Sequence, residues 1–343
     1  MSRPSALPLL ALLLAAAVVL SLGVGAMPIR PSEVVAILAE RLGLASSAGL
    51  DDRHAAVLVS IRLPRVLLAA LVGAGLSMAG AALQGLFRNP LADPALLGVS
   101  GGAVLSTACA LVLGLGGLAT AFGPAALALA AFVGGLLATL LVWRLAQGEH
   151  GTSVAALLLA GLAVNALAGA GTGLLLFLAD DSALRDIMFW TMGSFGGTTW
   201  ASLLAAAPLL LLACWALLRL ARPLNALLLG EAEALHLGVD TQRLKRRVVI
   251  FAALATGAAV SVAGVIGFLG LLVPHVIRLL FGPDHRLLLP CAALLGATLL
   301  VAADALSRVA VAPAELPIGI VTTLLGAPCF AWLLRGRRVG ALT

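Results

Sequence analysis

The stretch from Val154 to Leu178 reads VAALLLAGLAVNALAGAGTGLLLFL and contains no charged residue. Since about 20 apolar residues in helical form span the hydrocarbon core of a bilayer, this stretch predicts a transmembrane helix. Nine further apolar runs flank it, of which the run at 268–281 is short for a crossing. We expect these nine spans at 5–26, 66–87, 94–114, 121–143, 199–219, 248–266, 268–281, 287–304 and 316–334.

The composition agrees with a protein embedded in lipid. Hydrophobic residues make up 62% of the 343 residues and charged residues only 10%, whereas soluble domains carry about 25% charged residues. The apolar runs are continuous and do not alternate with period two, which favours helices over a β-barrel. The predicted fold class is therefore all-α, a polytopic membrane protein of about ten transmembrane helices that forms a single domain over residues 1–343.

The basic residues give the chain a direction in the membrane. Ten spans place both termini on one side, and the connections on that side contain 14 of the 21 Lys and Arg residues, against 7 on the other. Because cytoplasmic loops are enriched in Lys and Arg, both termini are predicted to be cytoplasmic. The same bias accounts for the net charge of +6, so nucleic acid is not indicated as a partner.

Two segments near the N-terminus have their own predictions. Residues 7–26 are too long for a typical signal-peptide core and are followed by further spans, so we interpret them as the first transmembrane helix. Residues 31–42 predict a short amphipathic helix outside the bilayer, beginning at Pro31-Ser32-Glu33.

The sequence lacks the usual signatures of catalysis and of nucleotide binding. It has no GxxxxGK[ST] phosphate loop, no HExxH, no CxxC and no GxSxG. The five histidines are dispersed and the four cysteines lie in apolar runs, which predicts free buried cysteines and no metal site. We therefore expect no catalytic residue, no enzyme activity and no cofactor bound by this chain.

The chain also lacks acidic residues in the middle of its predicted spans. Asp93, Asp304 and Glu315 all lie near span ends, with Arg308 between the last two. A transporter coupled to an ion gradient usually requires intramembrane acids. The energy for transport is therefore expected to come from another subunit.

One long cytoplasmic segment, 219–247, interrupts the short connections. Within it, Leu229–Gly238 (LGEAEALHLG) predicts a short helix bounded by two glycines. Ala232 and Leu235 share one face of that helix, and Glu231 and Glu233 favour its N-terminal end. This helix is interpreted as a docking element for a cytosolic ATPase; an interfacial helix lying on lipid is the alternative.

Several motifs resemble one known family of membrane proteins, the FecCD family of permease subunits in ABC importers for iron chelates, haem and vitamin B12. The resemblance covers roughly residues 55–335 and appears in the family's order and spacing. The motifs are Ile61–Arg65 (IRLPR), Gln84, Arg88–Pro94 (RNPLADP), Leu97-Gly98, Val260–Phe268 (VSVAGVIGF), Pro274–Arg278 (PHVIR), Glu315–Gly319 (ELPIG) and Leu325–Pro328 (LGAP).

The resemblance implies an architecture and a set of partners. It implies an ABC type II importer permease of ten helices in the bacterial inner membrane, which forms a homodimer with the pathway on the two-fold axis. Two copies of a separate ATPase, which bind ATP-Mg, are expected below the dimer, and a periplasmic substrate-binding protein above it.

The resemblance also implies three groups of functional residues. Arginines at the positions of Arg62, Arg65 and Arg308 are expected to dock the binding protein, with lipid headgroups or an internal pair of Arg308 with Asp304 as the alternatives. Residues Asn89, Leu91, Thr152 and Ser153 match a cytoplasmic gate, with simple helix-end roles as the alternative. The coupling segment spans 223–242, and its contact residues are expected to be Leu229, Gly230, Glu231, Ala232, Glu233, Ala234, Leu235 and Gly238.

The segment 160–200 bears on the cargo. Asn165–Gly173, Ala179–Asp181 and Leu184–Asp186 look most like haem importers, so haem is the expected cargo, with a ferric siderophore or cobalamin as alternatives. Two other classes of function remain: an ion-coupled transporter and a membrane scaffold that does not transport.

Overall fold

The computed structural model describes residues 6–44, 51–114, 125–148 and 151–335, and of residues 332–335 it describes the backbone alone. Residue 5, residues 121–124 of one predicted span, and both termini, for which a cytoplasmic location is predicted, lie outside these ranges. The helices are α1 (Ala6–Gly23), α2 (Pro31–Arg41), α3 (Asp52–Val57), α4 (Leu63–Phe87), α5 (Val99–Val112), α6 (Ala125–Leu145), α7 (Val154–Leu178), α8 (Asp181–Met192), α9 (Trp200–Arg219), α10 (Ala221–Leu229), α11 (Glu231–His236), α12 (Thr241–Ala263), α13 (Leu269–Phe281), α14 (His285–Ser307) and α15 (Ile318–Arg335).

The all-α prediction is confirmed. Within the described ranges, seven helices are long and apolar enough to cross a membrane, and three shorter apolar helices lie at Val99–Val112, Leu269–Phe281 and Ile318–Ala331. Each of the ten predicted spans overlaps one of these helices. The only strands among the described residues are β1 (Gln147–Gly148) and β2 (Gly151–Thr152), which pair antiparallel between α6 and α7.

Some helix boundaries differ from the prediction for identifiable reasons. Helix α12 begins at Thr241 and not at 248, because Asp240 accepts a hydrogen bond from the backbone N–H of Arg243 at 2.9 Å and caps a polar first turn that hydropathy does not detect. The predicted span 94–114 begins as a 3-10 turn over Pro94–Leu97. Gly98, at φ 80°, separates this turn from α5.

Two amphipathic helices were not predicted. Helix α8 follows the span α7, and Asp180 caps it by accepting a hydrogen bond from Ala183 N at 2.7 Å. Helix α10 precedes the predicted coupling helix and buries Ala221, Leu224 and Leu227. Both have mixed composition, so a search for continuous apolar runs does not find them.

Helix α4 forms the centre of the bundle. It is buried along almost its whole length and packs against α9, α12, α13 and α14. Glycines bring the backbones together, because a Cβ on Gly80 would overlap the carbonyl of Gly270 and a Cβ on Gly73 would overlap that of Gly296. The two ends of α4 are thereby held in fixed positions, and both ends carry candidate functional residues.

Candidate functional site

The three arginines predicted to dock a binding protein are buried at one end of the bundle. Arg62, Arg65 and Arg308 expose 6%, 7% and 9% of their surfaces. Arg62 and Arg65 lie at the start of α4, and Arg308 directly follows α14. Together with Asp304 and Glu315 they form what we call the arginine cluster.

Arg65 is the centre of this cluster. Its Nε donates to Asp304 Oδ1 at 2.9 Å, and its Nη1 and Nη2 donate to the two carboxylate oxygens of Glu315 at 3.0 Å each. Asp304 is 1% exposed, whereas the side chain of Glu315 is 42% exposed. Such bidentate pairs are strong and directional. Arg65 therefore ties α4 to α14 and to the segment that precedes α15.

Arg308 and Arg62 form hydrogen bonds with the C-terminal end of α1 and the residues that follow it. Arg308 lies 3.3 Å from Asp304 Oδ2 and donates to Val24 O at 2.7 Å and to Ser21 O at 2.9 Å. The internal pair of Arg308 with Asp304, one alternative from the sequence, is thus present. Arg62 donates to Leu22 O at 2.7 Å and to Met27 O. Contact of these arginines with another protein requires an exchange of their internal partners.

The cluster retains a positive charge. Three arginines face two carboxylates, and among the described residues Arg62 forms no salt bridge and bonds only to backbone carbonyls. A backbone carbonyl neutralises a guanidinium only partly. Arg62 is therefore the member of the cluster whose charge no carboxylate among the described residues neutralises.

The predicted coupling segment has a helix–glycine–helix form. Gly230, at φ 138°, separates α10 from α11, and Gly238, at φ 82°, follows α11. Both backbone conformations favour glycine, as expected for a helix bounded by two glycines. The observed helix α11 is nevertheless shorter than the predicted helix at 229–238, and Leu229 is the last residue of α10.

The two faces of α11 differ in exposure. Leu235 and Leu237 are 56% and 64% exposed and Ala232 is also exposed, whereas Ala234 is fully buried. The inclusion of Ala234 among the contact residues is therefore wrong, because a helix turns by about 100° per residue and Ala234 faces the bundle while Leu235 does not. Leu229, at the end of α10, is 65% exposed and extends the apolar surface.

The predicted gate residues lie in two tight turns at the same end of the bundle as α11. Asn89 Oδ1 accepts a hydrogen bond from Leu91 N at 2.9 Å. Ser153 caps α7 by accepting from Ala156 N at 3.1 Å. Leu91 is half exposed, while Thr152 is buried in β2. Within the described residues, no hydrogen bond joins the turn containing Asn89 to that containing Thr152.

Two residues that sequence analysis did not assign to the site, Gln242 and Lys245, hold Thr152 in place. Gln242 Oε1 accepts from Thr152 N at 3.0 Å, and Lys245 Nζ donates to Thr152 O at 2.9 Å. Lys245 Nζ also lies 2.5 Å from Glu231 Oε1. The available signal in the sequence was that Lys245 is its single lysine, in a segment otherwise rich in arginine.

A cavity of about 300 Å³ opens beside Asn89. Its lining includes Gln84, Arg88, His275 and Arg278. Arg278 Nη2 donates to Gln84 Oε1 at 3.0 Å, and Gln84 Nε2 donates to the carbonyl of Gly270 at 3.3 Å. The motif residues Gln84 and Arg278 therefore stabilise the junction of α4 with α13, next to the predicted gate.

Polar residues in the segment that suggested haem have local structural roles. Asn165 Nδ2 donates to Ala95 O at 2.9 Å and ties α7 to the 3-10 turn. The backbone hydrogen bond from Ala183 holds the pKa of Asp180 below its usual range. These two side chains are accounted for by packing and capping, so neither by itself indicates a ligand.

Within the described part of the chain no three His, Cys, Asp or Glu residues group as metal ligands. All four cysteines are free. Cys291 is buried as expected, but Cys329, in α15, is exposed.

Comparison with known proteins identifies the family. Residues 13–336 match the FecCD transport family. The hemin transport system permease protein HmuU of Yersinia pestis is 49% identical over 285 residues, covering 82% of this chain and 83% of the relative. The cobalamin import system permease protein BtuC of Halobacterium salinarum is 44% identical over 298 residues, covering 86% and 77%.

A solved structure has the same architecture. It is described as an inward-facing conformation of a metal-chelate type ABC transporter and superposes with a TM-score of 0.85 at 34% identity, covering 97% of this chain and all of that chain. The helix order, the arginine cluster and the glycine-bounded α11 thus occur on the fold of an ABC type II permease. The chain is a member of the FecCD transport family.

Proposed function

We propose that this chain is the permease subunit of an ATP-driven importer that moves haem, or a related iron chelate, across the bacterial inner membrane into the cytoplasm. The observation that carries the cargo is the 49% identity to a hemin transport permease over four-fifths of the chain. Two copies of the chain would enclose the pathway, with both termini in the cytoplasm. The 44% identity to a cobalamin permease supports cobalamin as the second candidate.

The proposed partners follow from the two ends of the bundle. Two ATPase subunits engage the apolar surface formed by Leu229, Leu235 and Leu237. Neighbouring exposed leucines on a surface that faces water are typical of a protein contact site. A periplasmic binding protein docks at the opposite end, near the arginine cluster. Asn89, Leu91, Thr152 and Ser153 form the cytoplasmic gate at the end that carries α11.

Reconstituted transport tests this function. The permease, its ATPase and its binding protein are incorporated into liposomes, and uptake of haem, a ferric siderophore and cobalamin is measured with and without ATP. We expect ATP-dependent uptake of haem at least about tenfold above the other two cargoes, a preference of roughly 1.4 kcal/mol. Uptake that follows a pH gradient and ignores ATP would instead favour an ion-coupled transporter.

The docking role of the arginine cluster is tested best at Arg62, since Arg62 has no acid partner among the described residues. We expect Arg62→Gln to weaken binding of the binding protein about 3- to 10-fold, with a reduced dependence on salt, because charge pairs steer association. Arg185→Gln, at an exposed arginine of α8 on the same predicted side, is the control. Equal affinities and equal salt dependence for the two variants would contradict docking at Arg62.

A further inference from the structure

The coupling helix and the gate strand are attached to the same two turns of α12. Lys245 lies in the second of these turns, is 3% exposed, and contacts Glu231 of α11 on one side and the carbonyl of Thr152 on the other. Gln242, one turn earlier, accepts from the N–H of Thr152. Both backbone groups of Thr152 are therefore held by α12.

The burial of Lys245 makes these contacts difficult to break separately. An ammonium group removed from water requires charge pairing and hydrogen bonds, and a buried charge that loses its partner is strongly destabilised. Glu231 supplies the carboxylate that Lys245 needs, and Thr241 Oγ1 lies 3.3 Å from the same oxygen, Glu231 Oε1. A displacement of Glu231 without α12 would leave the lysine in the interior with a carbonyl as its one remaining partner among the described residues.

Close packing around Gly151 holds the hairpin against α12. A Cβ on Gly151 would lie 2.8 Å from the Gln242 side chain, so the hairpin of β1 and β2 lies directly against the start of α12. Glu231, in contrast, has a side chain that is 46% exposed and stands at the first position of α11. A protein that contacts α11 can therefore act on the exposed end of a chain of contacts whose other end is buried at Thr152.

We infer that Glu231, Lys245 and Thr152 form the mechanical link through which movement of the coupling helix reaches the gate, with Lys245 as the positioning residue. This inference rests on the proposed roles of α11 and of Thr152. Motion of α11 displaces the Lys245 ammonium and the first turns of α12, and these carry the Thr152 strand with them because both its N–H and its carbonyl are bonded to α12.

The ratio of cargo imported to ATP hydrolysed measures this link. In the reconstituted complex we expect Lys245→Met to lower uptake at least about tenfold while ATP hydrolysis falls less than about threefold and the ATPase still co-purifies with the permease. The matched control is Arg243→Met, which removes a surface pair with Asp240 from the same helix, where Arg243 is 79% exposed. An unchanged cargo-to-ATP ratio in Lys245→Met would overturn the link.

A distance measurement separates failure of the link from failure of the proposed function. Spin labels at Gly148→Cys and His236→Cys, both exposed and neither among the expected ATPase contact residues, report the spacing of the hairpin and α11 in a background without the native cysteines. We expect a narrow distribution that broadens in Lys245→Met and in Glu231→Gln. If the distributions broaden in the two variants but the complex with Lys245 and Glu231 intact shows no ATP-driven uptake, the link is supported and the proposed function is refuted. Unchanged distributions in the variants would refute the link. If Lys245→Met fails to fold, Glu231→Gln supplies both readouts.

A second inference concerns the groove between α6 and α12. A groove of about 490 Å³ lies between α6 and α12, with apolar walls that include Leu140, Val249 and Ile250. Arg144 and Arg246 line its end near the hairpin, both are exposed, and within the described residues neither forms a salt bridge or a hydrogen bond. Trp143, which also lines it, is a residue typical of the membrane–water interface.

We propose that this groove binds an anionic phospholipid. The two arginines suit a phosphate headgroup, the leucine, valine and isoleucine walls suit an acyl chain, and basic pockets between transmembrane helices on the cytoplasmic side bind acidic lipid headgroups. The groove opens at the end of the bundle that carries α11, where the predicted orientation places the inner leaflet. A soluble anion would use the arginines but leave the apolar walls uncovered.

Lipid retention tests this site. We expect the purified wild-type protein to retain phosphatidylglycerol at least about fivefold more than phosphatidylcholine, and the double variant Arg144→Gln/Arg246→Gln to lose that preference. Arg247→Gln, at a neighbouring exposed arginine outside the groove, should behave as wild type. Equal retention of both lipids by wild type, or an unaltered preference in the double variant, would refute the site. Competition by inorganic phosphate alone would identify a simple anion site and contradict lipid binding.

Discussion

Replacing Asp304 with alanine is expected to cause the largest loss of stability of any single change in the arginine cluster. Asp304 is 1% exposed and neutralises both Arg65 and Arg308. Removing it leaves two guanidinium groups buried with weaker compensation, which typically costs about 3–5 kcal/mol. Since most proteins are stable by only about 5–15 kcal/mol, we expect the thermal midpoint of the detergent-solubilised protein to fall on the order of 10 °C.

The control and a second variant separate charge from packing in this experiment. Asp186→Ala removes an exposed acid from α8 and should change stability by less than about 0.5 kcal/mol. Combining Asp304→Ala with Arg308→Met should recover part of the loss, because it removes one stranded charge while Arg65 keeps Glu315. A thermal midpoint for Asp304→Ala within about 2 °C of that for Asp186→Ala would mean that the cluster contributes little to stability.

Local pattern predicted the membrane helices but not the contacts between them. The span 154–178 was predicted to the residue because its apolar run is bounded by Ser153, a helix cap, and by the polar Asp180-Asp181. The pair of Arg308 with Asp304 was also anticipated, since i and i+4 are neighbours on a helix. In contrast, Arg65 and Asp304 are 239 residues apart, and hydropathy carries no information about such a pairing.

In the candidate site, too, local pattern predicted the elements but not the contacts between them. The two glycines predicted where the coupling helix is bounded, but the direction of Ala234 depended on how α11 packs against the bundle. Lys245 stood out as the single lysine, yet its partners at Glu231 and Thr152 lie 14 and 93 residues away and come together only through the folding of three segments. The sequence thus predicted the elements and, through the resemblance, their roles; the fold supplied the pairings.

At the opposite end of the bundle, Leu235→Asp should cause the largest loss of transport. Leu235 is 56% exposed on α11, beside the exposed Leu237 and Leu229. An apolar anchor at the centre of a protein interface contributes about 2 kcal/mol or more, and a charge in its position adds the cost of desolvation. We therefore expect association of the permease with its ATPase to weaken on the order of 100-fold and ATP-driven uptake to fall to background, while the thermal midpoint of the isolated permease stays unchanged.

The matched control is Leu42→Asp, at a leucine that is 74% exposed at the end of α2, on the predicted outer side. It makes the same chemical change at a site that the ATPase cannot reach, so co-purification of the ATPase should equal that of wild type. Uptake and co-purification are measured on the same preparations, because a variant that loses uptake but keeps the ATPase has lost coupling and not docking. Normal co-purification of the ATPase with Leu235→Asp would contradict α11 as the docking helix and assign the exposed leucines to contact with lipid.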